Sequence, residues 1–198
     1  LYSRRPMFLL VHHGHQEFFN NSLKFPMREI DKFIEGKLMP QVYRNEKIIT
    51  VSESTKQDVL KLGIFKPENI CIVNPGIDLK PVEKSVKKTD HPSILYLGRL
   101  KPYKNVDIAI KSFKKVLAKF PDAILNIAGE GECEEQLREL ALKLNIETSV
   151  IFHGRVDEET TKPALFKQSW VMIQPSSFEG WGITVIEANQ MGTPVIAS

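Results

Sequence analysis

The chain has little of what marks several common protein classes. Of its 198 residues only two are cysteine, Cys71 and Cys133. They lie far apart and lack the paired spacing of a zinc site, which argues against a disulfide scaffold and a thiolate metal centre. Both are expected to be buried, reduced thiols, as in a cytosolic protein. No apolar run approaches the roughly 18 residues of a membrane-spanning helix. Charge of one sign is scarce as well: 27 Lys and Arg against 24 Asp and Glu leave a formal net charge of +3. That balance is too small to argue for a nucleic-acid partner. Neither a short-period repeat nor a low-complexity tract interrupts the chain. It opens at Leu1 without a methionine, so it is expected to lack its native start, and it says nothing of a targeting peptide.

What is present is the composition of an ordinary α/β protein, 42% hydrophobic and 26% charged, with strands and helices in alternation. That alternation is the signature of doubly wound parallel sheets. Strands are expected at 8–11, 48–51 and 70–73, with helices over 27–43 and 53–62. Ser52 is a plausible N-cap for the second of these, although Ser54 with Gln57 also matches a capping box. Residues 79–92, rich in Lys, Pro and Ser and without periodicity, read as a linker between domains. Beyond it the rhythm restarts, with strands at 93–97, 123–128, 150–153, 170–173 and 195–197. Helices are expected at 105–119, 132–144, 158–167 and 183–191. The expected domains are therefore 1–78 and 93–198. Lys111, Lys114, Lys115 and Lys119 fall on one side of a predicted helix, as a solvated face or as a contact with an anionic membrane surface.

The segment Ser177-Phe178-Glu179-Gly180-Trp181-Gly182-Ile183-Thr184-Val185-Ile186-Glu187-Ala188 carries the most chemistry. Two acids eight apart flank a glycine-rich turn that leads into an apolar helical stretch. A helix N-terminus offers unpaired N–H groups to an anion. Glu179 before the helix and Glu187 within it can both face one ligand with a phosphate in its middle and hydroxyls at its ends. A nucleotide-sugar is such a ligand. Gly98-Arg99-Leu100-Lys101-Pro102-Tyr103-Lys104 follows the apolar run at 94–97. A glycine at a strand end, then two cations five apart, suits a pyrophosphate: Arg99 brings a planar fork of donors and Lys104 a point charge.

Gly-Arg-Leu-x-x-x-Lys, then Ala128-Gly129-Glu130-Gly131, then His153-Gly154-Arg155-Val156, then Glu-Gly-Trp-Gly…Glu resemble, in order and spacing, the motifs of glycosyltransferase family 4. Val51-Ser52-Glu53-Ser54 and Val73-Asn74-Pro75-Gly76-Ile77-Asp78 fit the same family. The resemblance runs from about residue 7 to the end. It implies the GT-B architecture, two Rossmann-like domains facing across a cleft, and retaining transfer of a sugar from a UDP-, GDP- or ADP-sugar to a glycan or lipid-linked acceptor. It further implies that Arg99 and Lys104 bind the diphosphate and stabilise the leaving nucleotide. Glu187 would accept ribose hydroxyls and Glu179 would touch the sugar. N–H groups around Gly182, Ile183 and Thr184 would cap the distal phosphate. Gly98, Gly129 and Gly131 would line the donor pocket, and Arg155 and Val156 would meet the base. All these segments follow strands, where α/β sheets hold ligands. No cofactor is implied, and no Asp-x-Asp pair demands a divalent ion. Trp181 stands where phenylalanine is more usual in the family.

His12-His13-Gly14-His15-Gln16-Glu17 follows the first expected strand. Adjacent histidines on an extended chain point opposite ways, and no second ligand cluster stands out, which disfavours a metal site. The family places a histidine here near the anomeric carbon. His12 fits that role, with His13 as the alternative. Against the family's layout, both domains are expected to be incomplete, the first lacking its opening strand and glycine-rich loop and the second stopping at Ser198. The chain is thus expected to be part of a longer cytoplasmic protein, with peripheral contact at the inner face of the membrane as an option, and inactive alone. A non-catalytic nucleotide-sugar-binding module, and a nucleotide-sugar 2-epimerase or phosphorylase of the same architecture, are the competing functions.

Overall fold

The computed structural model describes residues 7–12, 26–79, 82, 85–179 and 181–198. The chain divides into two compact units, Leu1–Gly76 and Ile77–Ser198.

In the first unit, strands β1 (Phe8–Val11), β2 (Lys47–Thr50) and β3 (Ile70–Ile72) form a parallel sheet in the order β1-β2-β3. Ile48 sits opposite both Leu9 and Ile70, and is fully buried with Val59, Phe65 and Ile70. Helix α1 (Met27–Phe33) continues through a π-helical turn (Ile34–Leu38) into α2 (Met39–Tyr43). The wide turn ends two residues before Pro40, which has no N–H to donate back into an α-helical ladder.

Helix α3 (Glu53–Lys61) starts at Ser52, whose hydroxyl accepts the Thr55 N–H at 3.1 Å. The alternative box at Ser54 does not form, because the Gln57 amide donates to Glu53 instead. The Ser52 hydroxyl is buried and satisfies an orphan donor, so Ser52→Ala is expected to cost about 1 kcal/mol. A fall of a few degrees in the melting temperature of this unit would register it.

The second unit is a five-stranded parallel sheet of β4 (Ser93–Leu97), β5 (Ile124–Ala128), β6 (Val150–Gly154), β7 (Val171–Gln174) and β8 (Val195–Ala197). Its order is β6-β5-β4-β7-β8. The intervening helices are α4 (Val106–Leu117), α5 (Glu134–Lys143), α6 (Thr161–Gln168) and α7 (Ile183–Gln190). Neighbouring residues of β4 point to opposite faces of the sheet. Tyr96 packs with Ile110 and Phe113 of α4 and Leu137 of α5, whereas Leu95 packs with Leu165 and Phe166 of α6 and Ala188 of α7. Burial on both faces is why the strand reads as an unbroken apolar run. Fully burying a side chain such as Phe113 stabilises by roughly 1.5–3 kcal/mol, so these two clusters hold the helices on.

No helix or strand forms in the described part of 79–92. Leu79 is buried in the second cluster. Further on, Thr89 donates its N–H to the Gln168 carbonyl at 3.0 Å and accepts from the Trp170 indole at 2.7 Å. The Lys88 ammonium donates to the Ser169 carbonyl and to the Thr193 hydroxyl. This stretch is fastened to the second unit at its far end. The lysines of α4 are exposed, with Lys111 paired to Asp107 at 2.8 Å, and Lys119 lies beyond the helix end.

The expectation of two buried thiols needs correction. Both cysteines are free, but Cys71 is exposed and Cys133 only half-buried. On β3 the alternation that buries Ile70 turns its neighbour Cys71 outward.

Candidate functional site

The strand order places the site. From β4 the chain winds to β5 and β6 on one side, then returns to lay β7 and β8 on the other. The switch therefore falls between β4 and β7, and ligands of such sheets sit outside the carboxyl ends of the strands at that point. The loop after β4 carries Gly98, Arg99 and Lys104. The loop after β7 carries Glu179 and leads into α7.

Hydrogen bonds lock these two loops together. Asn105, held in the left-handed region at φ 52°, donates its amide to the Pro175 carbonyl and to the Ser177 hydroxyl, both at 2.8 Å. The Ser177 N–H donates to the Tyr103 carbonyl at 2.9 Å. Lys104, only 9% exposed, reaches Glu179 at 2.5 Å. Gln174 at the end of β7 donates to the same Glu179 oxygen and accepts from the Thr184 hydroxyl at 3.3 Å. Lys104, Glu179, Gln174 and Thr184 thus form one chain of contacts from the β4 loop to the start of α7. Arg99 is exposed, with its guanidinium 3.2 Å from the Tyr103 hydroxyl. Beneath it the Tyr96 hydroxyl donates to the Arg99 carbonyl at 3.0 Å. Burial, with the charge of Glu179 added, pushes that hydroxyl well above the ordinary tyrosine range, so it remains a donor.

Helix α7 begins after Gly182, which occupies the left-handed region at φ 70°. Its first-turn N–H groups, on Ile183 and Thr184, have no carbonyl one turn earlier in the helix, and they stand at the positive end of its dipole. Glu187 lies one turn further on and is 6% exposed. One of its oxygens accepts from Lys162 at 2.7 Å. The other is buried without a partner, as are the Trp181 indole nitrogen and the Ser176 hydroxyl on the same segment. A native interior rarely leaves such groups unpaired unless something else meets them.

The glycines after β5 have a local cause. The loop after β4 and the loop after β5 prolong the sheet: Gly98 N–H donates to Ala128, Leu100 N–H to Glu130 and Cys133 N–H to Leu100. A Cβ on Gly129 would stand 1.9 Å from the Gly98 carbonyl oxygen, and one on Gly131 2.2 Å from that of Leu100. The backbone that these glycines approach so closely is the neighbouring loop. Arg155 is exposed after β6, whereas Val156 packs half-buried against the second core cluster. Asp157 then accepts the N–H groups of Glu159, Thr160 and Thr161, and the Thr161 and Thr160 bonds hold its carboxyl well below the usual range.

The second unit therefore gathers Gly98, Arg99, Lys104, Gly129, Gly131, Glu179, Gly182, Ile183, Thr184 and Glu187 at strand ends and one helix start. His12 belongs to the first unit, where it is exposed at the end of β1 and its carbonyl accepts the Thr55 hydroxyl at 3.1 Å. His13 lies outside the described residues. Among the described residues no group of three or more His, Cys, Asp or Glu could hold a metal ion, and no helix is long and apolar enough to cross a membrane. Gln174, Asn105 and Lys162 were not legible as site residues. A glutamine ending a strand, an asparagine before a helix and a lysine in a charged helix start carry no signal of their own.

A doubly wound parallel sheet with cations, carboxylates and a helix N-terminus at its switch point defines a Rossmann-like unit. Comparison with known proteins says which. Residues 80–198 match the family described as Glycosyl transferases group 1, and the chain belongs to it. It is 37% identical over 153 residues to an uncharacterized glycosyltransferase of Haemophilus influenzae, covering 77% of this chain and 41% of that protein. A glycogen synthase of Mycobacterium tuberculosis is 29% identical over 178 residues, 84% of this chain and 42% of that one. The chain thus spans less than half the length of these relatives. The fold is that of GT-B glycosyltransferase structures. Anabaena Alr3699/HepE, solved with UDP-glucose, superposes with a TM-score of 0.75 at 18% identity, covering 98% of this chain and 53% of that one. Staphylococcus aureus TarM, solved with UDP, fondaparinux and an α-GlcNAc-glycerol, superposes at 0.72 and 20% identity over 97% and 36%.

Proposed function

We propose that the second unit is the donor half of a retaining glycosyltransferase that moves a hexose from a nucleoside-diphosphate sugar to a glycan or lipid-linked acceptor at the cytoplasmic side of a membrane. The observation that carries this reading is the buried, unpartnered oxygen of Glu187 one turn inside α7, beside a switch point lined by Arg99 and Lys104. A carboxylate oxygen with no donor of its own suits vicinal ribose hydroxyls. The two cations and the N–H groups of Ile183 and Thr184 suit the diphosphate between ribose and sugar. Glu179, tied to both Lys104 and Gln174, is then left facing the sugar, while Arg155 and Val156 meet the base. Gly98, Gly129 and Gly131 let the strand-end loops pack closely enough to form the floor.

In the reaction the bond from the anomeric carbon to the phosphate oxygen breaks and a bond to the acceptor oxygen forms on the same face. The acceptor's proton passes to the leaving phosphate. Arg99 and Lys104 stabilise the charge that grows on that phosphate, which is where a preorganised electrostatic site has most effect. No protein nucleophile and no cofactor is needed for this course.

Calorimetric titration of the chain with UDP, GDP and ADP tests the donor site. We expect one of them to bind in the micromolar to millimolar range, and Arg99→Ala and Glu187→Ala each to weaken it about tenfold or more, some 1.4 kcal/mol. A folded chain that binds none of the three would sink the reading. In the whole protein, donor consumption without any acceptor would point to a 2-epimerase, and donor binding without any turnover to a binding module.

A further inference from the structure

Lys162 touches neither the diphosphate nor the sugar in the proposed reaction, yet it is one of the most buried charges of the second unit. It is the second residue of α6 and 7% exposed. Its ammonium lies 2.7 Å from one oxygen of Glu187 and 2.6 Å from Glu158, whose side chain is 75% exposed. The two helices that carry Lys162 and Glu187 also bury Leu165, Phe166 and Ala188 in an apolar cluster. Two apolar side chains would join α6 to α7 at least as well, since a buried ion pair rarely outperforms well-packed hydrophobic groups. A pair kept only for stability would also be expected to satisfy both carboxylate oxygens. Here one oxygen is tethered and the other is buried and bare.

We propose that Lys162 is a positioning residue for the donor site, holding one oxygen of Glu187 so that the other is fixed towards the ribose hydroxyls of the nucleotide. The proposal rests on the donor-site reading above. A carboxylate pinned at one oxygen cannot swing about its terminal torsion, so its free lone pairs are aimed before the ligand arrives, and less ordering remains to be done on binding. Lys162 is itself pinned. Its N–H donates to the Asp157 carbonyl at 3.0 Å, in the turn that the Asp157 carboxylate organises. Burial would pull its ammonium down, but the hydrogen bonds to Glu158 and Glu187 and their charges outweigh that and hold it above its ordinary value. The geometry thus runs from the loop after β6, through Lys162, to Glu187 on α7.

The test uses the 198-residue chain, the nucleoside diphosphate it binds among UDP, GDP and ADP, and the 2′,3′-dideoxy form of that nucleotide. The unvaried chain is expected to bind the dideoxy form about tenfold more weakly, the loss of a hydrogen-bonded pair. Lys162→Met should bind the parent nucleotide about tenfold more weakly and the dideoxy form nearly as well as before, so that discrimination collapses. Lys162→Arg, which can still hold the oxygen, should keep most of it. A Lys162→Met chain that melts cooperatively and discriminates as the unvaried chain does would overturn the proposal and leave the donor site standing. If the methionine variant does not fold, Lys162→Gln gives the same readout, and full discrimination in it is equally fatal. If the unvaried chain binds no nucleotide, or does not discriminate and Glu187→Gln binds unchanged, the donor-site reading itself fails and the proposal with it.

Discussion

Gly129→Ala is expected to unfold the second unit or to leave it barely stable, with a loss on the order of 4 kcal/mol or more. Two costs add. The residue sits at φ 138°, where a side chain is strained by roughly 1–3 kcal/mol. The new methyl would also stand 1.9 Å from the Gly98 carbonyl oxygen and 2.9 Å from its carbon. Backbone cannot rotate away as a side chain can, so the two strand-end loops must part. Overpacking of that kind typically costs a further 1–3 kcal/mol, and the Gly98–Ala128 and Leu100–Glu130 hydrogen bonds are at risk as well. Against a total stability of about 5–15 kcal/mol, the effect is large. Thermal melting of the variant measures it. Gly63→Ala is the control: its φ of 71° is also left-handed, but nothing stands within 4 Å of the added methyl. It should cost only about 1–2 kcal/mol. Equal losses in the two variants would mean that the contact with Gly98 contributes nothing.

Lys104→Met should abolish measurable donor binding and lower transfer by the whole protein about 100- to 1000-fold, the scale seen when one charge-stabilising group is removed from a reaction centre. The side chain is shielded, with 11% of it exposed, and its ammonium sits 2.5 Å from Glu179. On the proposed donor reading, removing it takes a cation from the diphosphate; it also leaves Glu179 facing Gln174 alone. The second consequence separates from the first in Lys104→Met/Glu179→Gln. That double variant should recover any lost melting temperature, because no carboxylate is left uncompensated, but it should not recover binding. Recovery of binding in the double variant would show that Lys104 serves only to neutralise Glu179.

Much of the fold was legible from local pattern. The strands at Phe8–Val11, Ser93–Leu97 and Val195–Ala197 fall where their apolar runs predict. For Ser93–Leu97 the reason is coverage on both faces, whereas the outer strands keep the apolar run although Phe8, Leu10 and Ile196 are exposed. Ser52 declares itself as a cap because the capping bond closes within three residues. Helix α6 starts at Thr161 rather than at residue 158, because Asp157 draws the intervening N–H groups into a turn. That competition lies between two local hydrogen-bond patterns of similar strength, and composition does not decide it.

The residues of the candidate site divide the same way. By itself the sequence determined which segments carry charge, glycine and helix starts at strand ends: Gly98-Arg99, Lys104, Gly129 to Gly131, and Glu179 to Glu187. Those signals are written within a few residues of each other. Only the tertiary structure decided which segments meet. Placing β7 against β4 brings Asn105 to Pro175 and Lys104 to Glu179, across some 70 positions of chain. The same packing buries Lys162 against Glu187, turning what reads as a surface charge into a buried partner. Such contacts depend on sheet order and on which face each helix covers, and both are settled by burying apolar surface over the whole unit. No local stretch of sequence carries that sum.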